Sequence, residues 1–213
     1  MQQETNKVAL VANGVIRDYP ATRLLLDHYD TIIAVDGGLN HCELLGCIPS
    51  LIIGDLDSAA STSLQNYSQV PIKKFPHYKD ETDLELAIVE ALKLQPTLIG
   101  LFGVLEGRTD HALYNLHILH RFPNLLRIES DTETIRVLEG NSQISSFAGQ
   151  PVSLIPIGGP CHEVNTSGLK WELKDATMDS NFLSLSNICQ QDHFTVFIGS
   201  GKLLCIMQKQ IIL

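Results

Sequence analysis

Asp55 and Asp57 flank a single residue in the segment Gly54-Asp55-Leu56-Asp57-Ser58, and a third acid, Asp83, opens a later helical pattern. In an extended segment alternate side chains share a face, so the first two carboxylates would lie side by side. Carboxylates that close repel one another unless a cation sits between them, and an oxygen-only donor set favours Mg²⁺. Asp57 and Ser58 would serve equally well in a turn or as the cap of a following helix. Asp80 and Asp83 suit a helix start for capping and dipole reasons alone. Arg108 carries a planar guanidinium able to bridge phosphate oxygens, or to form a surface salt bridge with Glu106 or Asp110. His111 and Asn115 stand four apart on one predicted helix face beside it. Gly14, Gly37 and Gly38 allow close approach of a backbone to a phosphate, or simply turn the chain.

The elements that must position these residues follow from hydrophobic rhythm. Apolar runs alternate with helical patterns through about residue 125, the signature of a parallel sheet flanked by helices. Strands are expected at Val8–Ala12, Thr31–Val35, Leu51–Ile53 and Thr97–Phe102. Helices are expected from near Pro20, over Leu39–Leu45, over Glu81–Leu92, and over Asp110–His120 with Leu113, Leu116 and Leu119 facing inward. Ligands of open α/β sheets collect at the carboxyl ends of the strands. Those ends carry Ala12-Asn13-Gly14, Asp36-Gly37-Gly38, the Asp55/Asp57 segment and the run from Gly103 to His111. One mouth would therefore gather several carboxylates and glycines.

Beyond about residue 125 the helical period stops. Short strand patterns at Leu126–Ile128, Ile135–Leu138, Ile144–Phe147, Val152–Ile157, Phe182–Leu185, Phe194–Ile198 and Leu203–Met207 are separated by Gly, Pro, Asn and Ser. Closely spaced short strands predict an antiparallel sandwich or barrel. The expected organisation is an α/β domain over residues 1–125 followed by an antiparallel β-sandwich over 126–213. Gly199-Ser200-Gly201-Lys202 resembles the tail of a phosphate-binding loop. It lacks the first Gly and the following Ser or Thr, so it reads as a hairpin turn between two strands. No G-x-G-x-x-G and no G-x-S-x-G segment is present.

Composition bounds the partners. With 15 basic and 24 acidic residues the net charge is −9, which argues against nucleic acid or an acidic lipid surface. An acidic chain that takes a polyphosphate must import positive charge, and a divalent cation supplies it. The polar start Met1-Gln2-Gln3 lacks a secretory core, and no apolar run approaches the ~18 residues of a membrane span. Five cysteines (Cys42, Cys47, Cys161, Cys189 and Cys205) without a C-x-x-C pair read as buried, reduced thiols, giving a cytoplasmic expectation.

Taken in order, the segments Ala12-Asn13-Gly14, Asp36-Gly37-Gly38, Gly54-Asp55-Leu56-Asp57-Ser58, Lys79-Asp80-Glu81-Thr82-Asp83 and Gly107-Arg108-Thr109-Asp110-His111 resemble the thiamine pyrophosphokinase family. The likeness continues through Val152–Ile157, Thr166–Leu173 and Leu185-Ser186-Asn187, and so spans nearly the whole chain. What the resemblance implies is a Rossmann-like α/β catalytic domain and a β-sandwich, in a homodimer whose sites lie between one subunit's catalytic domain and the other's sandwich. It implies transfer of pyrophosphate from ATP to the hydroxyl of thiamine, leaving AMP. Asp55, Asp57 and Asp83 would hold Mg²⁺ and act with Arg108 as the catalytic set. Asn13, Gly37, Gly38, Asp80, Arg108, Asp110, His111 and Asn115 would surround ATP. Trp171 would pack on thiamine, with Ser186 and Asn187 at its polar edge. An indole face attracts a cationic thiazolium, although a lone Trp also serves as ordinary core.

One position departs from the family pattern. Glu106 stands where a glycine is usual before Gly107-Arg108, putting a negative charge near the triphosphate. A left-handed backbone there would cost on the order of 1 kcal/mol. Two alternatives to the kinase stand beside it: another Mg²⁺-dependent phosphotransferase or hydrolase, which would keep the acids without needing the Trp171 segment, and a non-catalytic thiamine or nucleotide sensor, supported by Glu106 alone.

Overall fold

A computed structural model describes residues 6–76, 78 and 80–210. Lys79, part of one motif above, lies outside them. The described chain divides into two compact units: residues up to Asn115 with Ile128–Asp131, and Leu116–Arg127 with residues from Thr132 onward.

The first unit is built on parallel strands. β1 (Lys7–Val11) pairs with β2 (Thr31–Val35) and β5 (Leu98–Phe102). β2 pairs with β3 (Leu51–Gly54), and β3 with β4 (Ile72–Lys74). The central strands are buried on both faces, as continuous apolar runs such as Leu98–Phe102 require. On one face Ala9, Val11, Ala34 and Ile52 pack with residues of α1 (Tyr19–Leu26) and α2 (Gly38–Leu44). Strand alternation turns Val8, Leu10, Ile33 and Ile53 to the other face, where α4 (Asp83–Leu92) lays Leu84, Ala87, Ile88 and Ala91. Its N-terminus is fixed by a reciprocal cap. Thr82 Oγ1 accepts from Glu85 N at 3.2 Å, while Glu85 Oε2 accepts from Thr82 N at 3.1 Å.

The second unit is antiparallel. β7 (Glu133–Leu138) pairs with β14 (Leu203–Gln208), β14 with β9 (Pro151–Pro156), and β9 with β12 (Ser184–Ile188). A second sheet orders β11 (Ala176–Met178), β10 (Cys161–Ser167), β13 (His193–Phe197) and β8 (Asn141–Ser145). Ile144, Val164, Phe194 and Val196 from one sheet pack with Leu138, Leu154, Cys205 and Met207 from the other, a sandwich core. All five cysteines are free and buried, as the sequence predicted.

Three expectations need correction. The segment 198–202 is not a hairpin turn: β13 and β14 belong to different sheets, and it carries the chain from one to the other. Leu113 does not face inward on α5 (Thr109–Arg121). It is 55% exposed, whereas Asn115, Ile118 and Leu119 are buried. The Asp55–Asp57 segment is not extended, because β3 ends at Gly54 and Leu56 has φ +67°.

Candidate active site

The first strand ends converge as the parallel order requires. Because β2 and β3 are neighbours, Asp36 at the end of one meets Asp55 and Asp57 after the other. One carboxylate oxygen from each lies within 4.8 Å of the others. The left-handed Leu56 is what brings the last two together. Asp55 Oδ1 accepts from Asp57 N at 3.2 Å in a tight turn, and Leu56 itself is buried. A branched residue held at positive φ is strained, and strain of this kind concentrates at functional sites.

Asp36 is the acid that sequence reasoning did not select as a ligand. Its own φ is +48°, and its Oδ1 is buried with no hydrogen-bond partner. Burial pushes the carboxyl above its ordinary value, opposed by the Gly37 backbone and Ser58 and reinforced by Asp57 and Asp83. An unpartnered, buried carboxylate oxygen beside two other carboxylates is suited to a hard divalent cation. The donor set is all oxygen, and the cation's charge would reverse the penalty. Asp83, the first residue of α4, lines the same cavity as Asp36 and acts on it electrostatically.

That cavity measures about 410 Å³. Asn13, Asp36, Asp83, Arg108, His111 and Asn115 all line it. Among the other predicted residues, Gly37 abuts the side chain of Asn13, so that a Cβ there would lie 2.4 Å from its Cγ. Gly38 packs on Val11, where a Cβ would come within 1.9 Å of the carbonyl oxygen, so only glycine fits. Asp80 is exposed and is not among the cavity's lining residues. Asn115 is buried and donates from Nδ2 to Val104 O at 2.8 Å, fixing the segment that follows β5. Arg108 holds Asp110 through two bonds, Nε–Oδ1 at 3.1 Å and Nη2–Oδ2 at 2.6 Å. The guanidinium pushes the Asp110 carboxyl down to about 2. Glu106 has no left-handed backbone; the positive φ falls on Gly107. Its carboxylate is gripped by Arg17.

In the second unit Trp171 is 56% exposed, which excludes a core-packing role. Asn187, only 1% exposed, presents Oδ1 to Trp171 N at 3.1 Å and donates Nδ2 to Trp171 O at 2.7 Å. It therefore holds the tryptophan's backbone. A register shift in β12 between Ser184 and Asn187 leaves Ser186 at φ +53° and exposed. Lys170 Nζ rests 4.6 Å from the centre of the Trp171 ring.

Comparison with known proteins decides the family. Residues 22–129 match the model of the thiamin pyrophosphokinase catalytic domain, and residues 133–203 that of the thiamin pyrophosphokinase vitamin B1 binding domain. The chain belongs to the thiamine pyrophosphokinase family. Thiamine pyrophosphokinase 1 of Arabidopsis thaliana is 31% identical over 219 residues, covering 89% of this chain and 82% of the plant protein. Thiamine pyrophosphokinase of Bacillus subtilis is 27% identical over 214 residues, covering 93% and 97%. The crystal structure of the Bacillus subtilis thiamine pyrophosphokinase superposes with a TM-score of 0.86 at 26% identity, over 97% of this chain and 100% of that one. Both segments of a thiamine pyrophosphokinase are therefore present in this chain, the α/β part followed by the antiparallel part.

Proposed function

We propose that this protein is a thiamine diphosphokinase: it transfers the pyrophosphoryl group of ATP to the hydroxyl of thiamine, giving thiamine diphosphate and AMP. The observation that carries the reading is the cluster of Asp36, Asp55 and Asp57, of which Asp36 lines a cavity whose wall also holds Asp83, Arg108 and His111. Residues 1–125 would form the ATP-binding catalytic domain and residues 126–213 the thiamine-binding domain, in a cytoplasmic homodimer.

Asp36, Asp55 and Asp57 would hold Mg²⁺, with Asp83 at the edge of the same set. Mg²⁺ so held would neutralise phosphate charge and orient the pyrophosphoryl group. Asn13, Gly37 and Gly38 would present polar and backbone groups to the phosphates, with Asp80 further out. Arg108, which lines the cavity and is held by Asp110, would turn donors towards the transferred group. His111 and Asn115 would bound the nucleotide on the α5 side. The exposed face of Trp171 would accept the thiazolium cation, with Ser186 beside it and Asn187 fixing the indole's backbone. The hydroxyethyl oxygen of thiamine attacks the β-phosphorus in line, the bond to the α-phosphate bridging oxygen breaks, and the hydroxyl proton is released. Positioning and charge neutralisation carry most of such a transfer.

The test is incubation of purified protein with ATP, Mg²⁺ and thiamine, followed by chromatography of nucleotides and thiamine species. AMP and thiamine diphosphate should form together and only with the metal. ADP with thiamine monophosphate would overturn the reaction type, and binding of thiamine without product would replace the enzyme with a sensor. The sensor reading had Glu106 as its support, and the pairing of that residue with Arg17 weakens it.

A further inference from the structure

The segment after β1 and the segment after β5 are tied by three rungs. Ala12 N donates to Phe102 O at 2.9 Å, and Gly14 N donates to Gly103 O at 2.8 Å. The third rung is a fork of side chains: Arg17 Nε donates to Glu106 Oε1 at 2.9 Å and Nη2 to Oε2 at 2.6 Å. The first two rungs are backbone bonds, the second of them needing glycine at positions 14 and 103, whereas the third depends on the side chains of Arg17 and Glu106. Glu106 lines the cavity, and Arg17 is not among its lining residues. Arg17 holds the Glu106 carboxyl below its ordinary value, and Asp131 adds to the negative field around the guanidinium. At the same mouth Arg108 is chelated by Asp110, so each arginine has its own acid and Glu106 does not draw Arg108 aside.

We propose that Arg17 is a positioning residue that cancels the charge of Glu106 and so lets this cavity accept a polyphosphate despite an acid in its wall. The proposal rests on the reading of the cavity as a nucleotide site. A carboxylate at the rim of an anion site repels the ligand if left unpaired, whereas a guanidinium fork returns its net charge to zero. Arg17 acts only through Glu106, and that sets the pattern of variants. Arg17→Ala leaves Glu106 bare and weakens the anion. Glu106→Gln alone has no charge to cancel, and R17A/E106Q recovers what R17A loses.

The experiment is calorimetric binding of MgATP, and separately of inorganic tripolyphosphate with Mg²⁺, at low salt to parent, R17A, E106Q and R17A/E106Q. Thermal unfolding of each serves as the folding control. R17A should raise the Kd about two- to fivefold, the scale of an exposed charge pair, with the increase shrinking as salt screens it. E106Q should bind at least as tightly as the parent, and the double variant should return to within about twofold of it. The charge swap R17E/E106R keeps the pair and should bind like the parent. A double variant as weak as R17A would overturn the proposal, because Arg17 would then be touching phosphate itself. Unchanged binding in R17A would overturn it too. If the parent binds tripolyphosphate but not MgATP, the nucleotide reading fails while the same cycle on tripolyphosphate still decides the role of Arg17. If it binds neither, both fall together.

Discussion

Asp36 is held where an ionised carboxylate without a cation is costly: one oxygen is buried and unpartnered, and Asp57 and Asp83 repel it. Replacing it by Asn removes the charge and offers Asp55 and Asp57 a donor. Asp36→Asn should therefore stabilise the metal-free protein by about 1 kcal/mol, or roughly 2–4 °C in Tm. It should also remove most of the Tm increase that Mg²⁺ gives the parent. Thermal scans of both proteins with Mg²⁺ and with chelator check this, and an unchanged Mg²⁺ increment in the variant would rule Asp36 out as a ligand. His41 supplies the pH prediction. It is half-buried, with Nε2 2.8 Å from Gly14 O and Nδ1 2.8 Å from Tyr19 OH. Burial lowers its pKa from 6.5, partly offset by the Gly14 and Asn13 carbonyls. The folded state therefore binds the proton less tightly than the unfolded chain. Stability from neutral His41 is complete above pH 6.5 and is lost as pH falls through the depressed folded value. The Tm of the parent should fall more steeply than that of His41→Gln between about pH 6.5 and pH 5. Parallel slopes would mean that His41 does not titrate in that window. At this scale the sequence named Asp55, Asp57, Arg108 and Trp171 from residue type alone; the structure sets Asp55 and Asp57 beside Asp36, puts Arg108 in the cavity wall and leaves Trp171 exposed. Asp36 was placed at the same mouth but not chosen as a ligand, because its meeting with Asp55 and Asp57 depends on β2 lying beside β3, and no spacing along the chain states that.

Elements with strong apolar rhythm were legible and polar or broken ones were not. β1, β2, β3, β5 and α4 coincide with their predicted spans to within a residue or two. α3 (Ser61–Asn66) buries only Ser63, and β4 is a three-residue edge strand, so neither leaves a periodic trace. β10 was missed because its register shifts between Cys161 and Val164, which breaks the alternation that reveals a strand. On α5 a buried position is occupied by Asn115, a polar side chain satisfied by Val104 O, so the inward face could not be read from apolar residues alone: Leu119 is buried as expected, whereas Leu113 is exposed. The reciprocal cap at Thr82 is the element-scale device with a direct bearing on the site, because Thr82 and Asp83 both line the cavity. Thr82→Ala should cost about 1 kcal/mol of stability, read as a lower urea midpoint with unchanged slope. It should also weaken Mg²⁺-dependent nucleotide binding by loosening Asp83. A full stability loss with unaltered nucleotide affinity would show that the cap is structural only.

At the scale of the whole molecule, the change from parallel α/β rhythm to short antiparallel strands was visible in the sequence, but strand order was not. Which strands of the second half share a sheet is set by long-range pairing, and the connection read as a hairpin turned out to change sheets. The proposed homodimer, with each site drawing its carboxylates from one subunit and its tryptophan from the other, has a decisive consequence. Asp57→Asn and Trp171→Ala should each be nearly inactive alone, because each removes one part from both sites. Mixed after reversible dissociation, random pairing makes half of the dimers hybrids. Each hybrid has one site carrying both defects and one carrying neither, so the mixture should recover about a quarter of the parent's activity per subunit. Activity of the mixture measured against each variant alone decides the point. No recovery, with subunit exchange confirmed by a tagged partner, would place both residues in sites completed within a single chain.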